Sequence, residues 1–480
     1  MVFTYAPLVP LPARITDVAG SLAIPRVRII GDADAAAALR GDLALRTAAR
    51  LPEGTDPDAV EITLSLVGQG AQEAYTLDTR GDGIRIHGHD AAGLFYGTRT
   101  LLQLLQETPD GWAVPRVLVD DVPRFAYRGV MLDLARHFFS VAEIEAYIDR
   151  ASALKFNHLH VHLTDDQGWR IQIDSWPLLT ERGSIGDAGP CAGGYLSKDD
   201  YRHVVEYAAA RHMTVVPEVD LPGHTHAVGV AYPELVEEPW VSETAVAEAA
   251  ALGQDLPVHG EHFAGWAVGH SSVRIHEERT YEFVADVLNE LAEMTPGPYL
   301  HIGGDECLGT SAADFATFIA RVTRIAAATG KTPVTWHEAG AVADIAPGTV
   351  GQYWGSVTPQ GAHAEEAAHF VARGGALIMS ASDRTYLDMK PSEDFPLGLS
   401  WAGVVPLRTA YDWDPASVVP GVSESEILGI EAPLWTETVD SYADLETLVF
   451  PRLLAHAETA WSPQAARDWD GFQARVGLIG

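Results

Sequence analysis

An apolar run, Tyr299-Leu300-His301-Ile302, ends in Gly303 and Gly304 and is followed at once by two carboxylic acids, Asp305 and Glu306. Successive residues of a strand face opposite sides of a sheet, so two neighbouring acids there make poor packing. At a strand end, where paired glycines let the backbone turn, both can instead be aimed into one pocket. Carboxylates held together repel, their pKa values move apart, and one keeps a proton that it can donate. Such a pair can run general acid-base chemistry.

The elements that must position this pair follow from the apolar pattern. Eight strand candidates run along the chain: Tyr127–Asp133, Asn157–Leu163, Thr214–Val219, Tyr299–Gly303, Pro333–His337, Val350–Tyr353, Ala376–Ser380 and Leu428–Leu434. Helical stretches lie between most of them, and two open with capping signals, Ser140 with Glu143 and Ser197 with Asp200. Strands alternating with helices predict a parallel sheet, and eight of them predict a (β/α)8 barrel, with its site at the carboxyl ends of the strands. Residues 234–272 and 383–425 read as extended loops.

A barrel demands chemically capable residues just after its strands, and the sequence supplies them. In chain order they are Arg136, then Asp165 with Asp166, then His224, then Asp305 with Glu306. Trp336, Trp354, Tyr386 with Asp388, and Trp435 with Glu437 follow. Singly, a tryptophan here reads as core, His224 as a bonded structural residue and Asp165 as a helix cap. Together, at one end of eight strands, they form a sugar site. Indole and phenol faces stack on the C–H faces of a pyranose, while acids and an arginine take its hydroxyls.

Ahead of the barrel, residues 1–122 predict a small α+β domain. Its strands are expected at Arg26–Ile30, Val60–Val67 and Gly83–His87, and its helices at Asp34–Arg50 and Asp90–Gln106. No chemical constellation is visible in it. The join falls at Val119–Phe125, where Pro123 breaks local structure, and the barrel domain takes residues 123–480.

Composition narrows the partners. The 480 residues are 47% apolar, enough for large cores, and 32 basic against 66 acidic residues leave a net charge of −34. That balance argues against nucleic acid and anionic membranes as partners and for a neutral or cationic small molecule. Cys191 and Cys307 are too few for a disulfide framework. The first fifteen residues hold three prolines and no continuous apolar core, so they do not read as an export signal. A cytoplasmic location is expected, with secretion after signal removal as the other reading.

Five stretches resemble the family 20 glycoside hydrolases, the β-N-acetylhexosaminidases. They are Arg128-Gly-Val-Met-Leu-Asp-Leu-Ala-Arg-His137, His160-Val-His-Leu-Thr-Asp-Asp-Gln-Gly-Trp-Arg170, Val216-Pro-Glu-Val-Asp-Leu-Pro-Gly-His224, His301-Ile-Gly-Gly-Asp-Glu306 and Pro451-Arg-Leu-Leu-Ala-His-Ala-Glu-Thr-Ala-Trp461. The N-terminal segment is similar to that family's accessory domain, more weakly. The resemblance implies exo-acting, retaining hydrolysis of terminal β-linked N-acetylglucosamine or N-acetylgalactosamine, without metal or cofactor. In it the substrate's 2-acetamido oxygen attacks the anomeric carbon and forms an oxazolinium ion. Glu306 would protonate the leaving oxygen and later deprotonate water, while Asp305 would orient the acetamido group. Tyr386 would bond the acetamido oxygen, and Trp336, Trp354 and Trp435 would wall the pocket. Arg136, Asp388 and Glu437 would hold hydroxyls. Asp165 and His224 would support Glu306, with His301 behind them. The stretch between His224 and Asp305 is longer than the family pattern, and Glu237–His262 would reshape the entrance.

Two rivals come from other classes. His158, His160 and His162 alternate on one strand and could serve a metal-dependent amidohydrolase on the same barrel. That chemistry gives the tryptophans and the acid pair no task. A sugar-binding protein without catalysis would not need adjacent acids.

Overall fold

The computed structural model describes residues 7–54 and 56–479. The first six residues of the stretch weighed as an export signal lie outside them. Among the described residues, no helix is long and apolar enough to cross a membrane.

One unit comprises the chain up to Ala126 with Arg150–Phe156 and the segment from Leu454. Its seven-stranded sheet runs Arg14–Ile24, Gly111–Asp121, Tyr75–Asp78, Ile84–Gly88, Val60–Leu66 and Val27–Gly31, with Gln106–Thr108 paired to Gly111–Asp121. The helix Ala91–Leu104 begins where the Asp90 side chain accepts from Gly93 N at 2.7 Å, and it buries Leu94, Tyr96, Leu101 and Leu104. The helix expected to reach Arg50 ends at Arg46. Its packed face, Ala36, Leu39 and Leu43, runs out there, and Ala48 and Ala49 turn left-handed. Four strands carried no legible signal: Arg14–Ile24, Tyr75–Asp78, Gln106–Thr108 and Gly111–Asp121. Arg14–Ile24 sits at the sheet edge with most side chains exposed, so selection for alternation is weak there.

The other unit, Tyr127–Asp149 with Asn157–Leu453, is the (β/α)8 barrel. Its eight strands are Tyr127–Asp133, His158–His162, Thr214–Glu218, Tyr299–His301, Thr332–Trp336, Val350–Tyr353, Leu377–Met379 and Ile427–Ala432. All neighbours pair in parallel, and the last strand closes on the first with Ile430 opposite Arg128. Ser197 and Asp200 form the expected capping box on the helix Lys198–Ala209. Ser140 N and Oγ both donate to Glu143 ahead of the helix Val141–Ala153.

The two segments expected as extended loops carry helices. Glu243–Leu252, an alanine-rich helix capped by Ser242 and ended by left-handed Gly253, interrupts the first. Ser382–Thr385 and Leu407–Tyr411 interrupt the second. These helices are short and barely amphipathic, so periodicity does not announce them.

The barrel interior is layered. At the amino ends of the strands, Tyr127, Val216, Val334, Val350 and Ile378 form an apolar plug. Above it lies a polar layer. Glu431 accepts from Tyr127 Oη at 2.5 Å, Gln352 Nε2 at 2.6 Å and His160 Nδ1 at 2.8 Å. Glu218 takes His162 Nδ1 at 2.5 Å and lies 3.1 Å from His160 Nε2 and 2.8 Å from His301 Nδ1. His158, His160 and His162 share the interior face, as expected, but at different levels. His158 stacks on Tyr127 and meets Asn157, whereas the other two imidazoles are taken up by carboxylates. Burial pulls His160 down, but Glu431 and Glu218 outweigh it and hold the imidazole up at about 10.

Candidate active site

Asp305 and Glu306 leave the fourth strand through a turn that requires glycine. Gly303 has φ 66°, and a β-carbon there would stand 1.7 Å from Asp220 Oδ1. That same oxygen accepts from Gly304 N at 3.1 Å, which fixes the turn. Glu306 (φ 48°) and His224 (φ 54°) are themselves left-handed, a costly conformation for residues with a β-carbon. Such backbone strain concentrates at functional sites, and here both outliers face one another.

His224 links the acid pair to the rest of the barrel. Its Nε2 lies 3.7 Å from Asp305 and 3.6 Å from Glu306, while Nδ1 meets Asp165 Oδ1 at 3.1 Å. The other oxygen of Asp165 takes Arg136 at 2.8 Å and His162 at 2.8 Å. Burial pulls the His224 imidazole down, but Asp165, Asp220 and Asp305 outweigh it and hold it well above its ordinary value. Burial pushes the Glu306 carboxyl up, His224 opposes and Asp305 adds, leaving it at about 7. A carboxyl at that value is protonated often enough at neutral pH to act as an acid and is basic enough to take the proton back.

Aromatic rings surround the pair. Trp336, the last residue of the fifth strand, packs edge-on against His301 at 4.8 Å and lies 6.1 Å from Trp435. Tyr386 is 6.3 Å from Trp435 and 5.7 Å from Trp401, and Trp401 is 6.0 Å from Trp354. Arg136 lies over the Trp435 ring at 4.9 Å while held by Asp165 and, at 3.4 Å, by Asp133. Several polar atoms in this ring are buried without a hydrogen-bond partner: Asp305 Oδ1, Trp336 Nε1, Asp388 Oδ2, Glu437 Oε2 and Arg136 Nε. Buried polar atoms are ordinarily paired, so these unpaired ones are candidates for the hydrogen bonds of a polar ligand.

Comparison with known proteins decides the family. The model of the glycosyl hydrolase family 20 catalytic domain matches residues 125–314 and 308–464, and that of the family's domain 2 matches residues 5–122. The β-N-acetylhexosaminidase of Cellulomonas fimi is 38% identical over 433 residues, 89% of this chain and 82% of that protein. A solved family 20 β-N-acetylglucosaminidase is 51% identical with a TM-score of 0.92, covering 99% of this chain and 96% of its own. The Streptomyces plicatus N-acetyl-β-hexosaminidase solved with thio-NAglucal is 40% identical with a TM-score of 0.89, covering 99% and 94%.

The chain belongs to glycosyl hydrolase family 20. It is therefore a glycosidase, and its barrel and accessory domain are those of the family.

Every residue named from the sequence for this family 20 site lies on the carboxyl-end side of the barrel strands. Arg136 is the one most changed by the structure. It anchors Asp165 and braces Trp435. Two site residues escaped the sequence reading. Trp401, 55% exposed, sits on a connection where nothing local marks it. Glu338, two residues beyond Trp336, takes the Trp354 indole N–H on both oxygens at 3.0 Å. Burial and the nearby charge of Asp305 raise its carboxyl well above the ordinary range. The acid just past a strand end, in Trp336-His337-Glu338, was the available signal.

Proposed function

We propose that Glu306 and Asp305 divide the work of removing a terminal, non-reducing β-linked N-acetylglucosamine or N-acetylgalactosamine with retention. The observation that carries the division is the contrast between the two. Glu306 is held at about 7, whereas Asp305 is buried and keeps Oδ1 without a partner. A protonated Glu306 gives its proton to the leaving glycosidic oxygen. Asp305 Oδ1 accepts the acetamido N–H, which aims the carbonyl oxygen at the anomeric carbon and offsets the positive charge that grows on the amide. Water then opens the oxazolinium ion as Glu306 takes back a proton. Tyr386 bonds the acetamido oxygen, and Trp336, Trp354 and Trp435 enclose its methyl group and the ring. Arg136, Asp388 and Glu437 take hydroxyls, and Asp165 with His224 holds Glu306 in place. The Streptomyces plicatus relative, solved with its product GlcNAc, supports the sugar assigned.

The test is the substrate's own role. A nitrophenyl glucoside with a plain 2-hydroxyl should be hydrolysed negligibly, a thiazoline analogue of the intermediate should inhibit strongly, and 2-fluoro glycosides should leave no covalent adduct. Efficient turnover of the plain glucoside, or a fluorosugar attached to any carboxylate, would overturn the mechanism.

A further inference from the structure

Arg452 opens the helix Arg452–Trp461, and its side chain has no part in the chemistry above. It is buried, and its guanidinium is spent on backbone carbonyls. Nη2 donates to Leu387 O at 2.6 Å and to Leu448 O at 2.7 Å. Nη1 donates to Met389 O at 2.5 Å and to Val405 O at 3.3 Å. Two of these carbonyls, those of Leu387 and Met389, stand on either side of Asp388.

Residues 386–405 belong to no helix or strand, yet Tyr386, Leu387, Asp388, Met389 and Val405 are all buried. Buried irregular backbone must find partners for its carbonyls, and one guanidinium can serve several at once. Asp388 is held from its other side as well. Leu399 N donates to Asp388 O at 2.8 Å, and Leu387 N donates to Pro433 O at 2.8 Å. Gly398 (φ 88°) must be bare, because a β-carbon there would stand 2.3 Å from Asp388 O.

With the carbonyls before and after it gripped, Asp388 has little freedom to rotate about its own backbone, and the direction of its side chain is set. Its Oδ2 is buried without a hydrogen-bond partner. Tyr386 lies two residues ahead in the same stretch. Burial, with Glu437 adding, raises the Asp388 carboxyl well above its ordinary value, and the charge of Arg452 opposes that rise. A lysine in place of Arg452 would keep the charge but present a single point, without the planar fork that reaches several carbonyls.

We propose that Arg452 is a positioning residue that aims Asp388 at a hydroxyl of the terminal sugar by gripping the carbonyls on both sides of it. The inference rests on the reading of Asp388 as a group that takes a sugar hydroxyl. The experiment measures kcat and KM on nitrophenyl N-acetylglucosaminide for the unaltered enzyme, Arg452→Lys, Asp388→Ala and the double variant. A hydroxyl contact serves ground state and transition state alike, so its loss falls on KM. Arg452→Lys should raise KM about five- to tenfold, the worth of one charge-assisted hydrogen bond, with kcat kept within about twofold. In the Asp388→Ala background the same change should cost less than about twofold, because the group that Arg452 aims is gone. An unchanged KM in Arg452→Lys, or its full effect persisting without Asp388, would overturn the inference. Gly398→Ala presses on Asp388 O from the other side and leaves Arg452 in place. Where Arg452→Lys does not fold, Gly398→Ala should raise KM in the same way, and an unaltered KM there would overturn the inference too. Asp388→Ala with the KM of the unaltered enzyme would instead remove Asp388 from the sugar, and with it the reading on which the inference rests.

Discussion

Trp354 donates its indole N–H to Glu338, with both carboxyl oxygens at 3.0 Å, and so fixes one wall of the site to the end of the fifth strand. Burial, with Asp305 adding, raises the Glu338 carboxyl well above its ordinary value. A protonated carboxyl is closely matched by a carboxamide. Glu338→Gln should therefore keep kcat/KM within about threefold, whereas Glu338→Ala should lose about tenfold, the worth of one net hydrogen bond. Equal losses in the two variants would show that charge, rather than the acceptor for Trp354, is what the site uses.

Glu306→Gln removes the acid while preserving its shape. Loss of a positioned proton donor typically costs about 10²–10⁴-fold, so turnover of oligosaccharides should fall in that range while sugar affinity is kept. Leaving groups as acidic as dinitrophenol need little protonation and should lose much less. A Brønsted plot over leaving groups checks this, and parallel losses across the series would remove Glu306 from the acid's role.

Asp305→Asn should lower kcat by more than it raises KM. The ionised carboxylate offsets charge that appears as the oxazolinium forms, and the ground-state sugar carries no such charge. Steady-state kinetics on nitrophenyl N-acetylglucosaminide separates the two constants, and an unchanged kcat would make Asp305 a bystander.

The pH dependence follows from Glu306 standing at about 7 against an ordinary value of 4.5. The protonated form does the chemistry, so kcat/KM should decline as pH rises through about 7. Stability has the same sign. Between 4.5 and 7 the folded state holds a proton that the unfolded chain has released, so folding stability falls as pH rises across that window. Glu306→Gln cannot ionise and escapes the penalty. Its Tm should exceed that of the unaltered protein at pH 8 and differ little at pH 4. A Tm difference between the two proteins that is the same at pH 8 as at pH 4 would mean that Glu306 ionises at its ordinary value.

Period and turn chemistry are local, and for that reason the barrel and its key residues were legible along the chain. All eight strand candidates lie in the closed barrel, with ends shifted by at most a few residues. Gly303-Gly304 before two acids marked the turn that carries both of them, because only glycine tolerates Asp220 at that distance. What each acid does is a different matter. The rise of Glu306 comes from burial, with neighbouring Asp305 adding, set against His224 and Arg136, which arrive from other strands. The Arg136–Asp165–His224 chain, the grip of Glu338 on Trp354 and the hold of Arg452 on Leu387 and Met389 join residues that are not neighbours in sequence. Electrostatic and packing energies depend on distance through space, and the chain records only neighbours along itself. The sequence therefore determined which groups stand at the strand ends, and the closed barrel decided which of them touch and what their protons do.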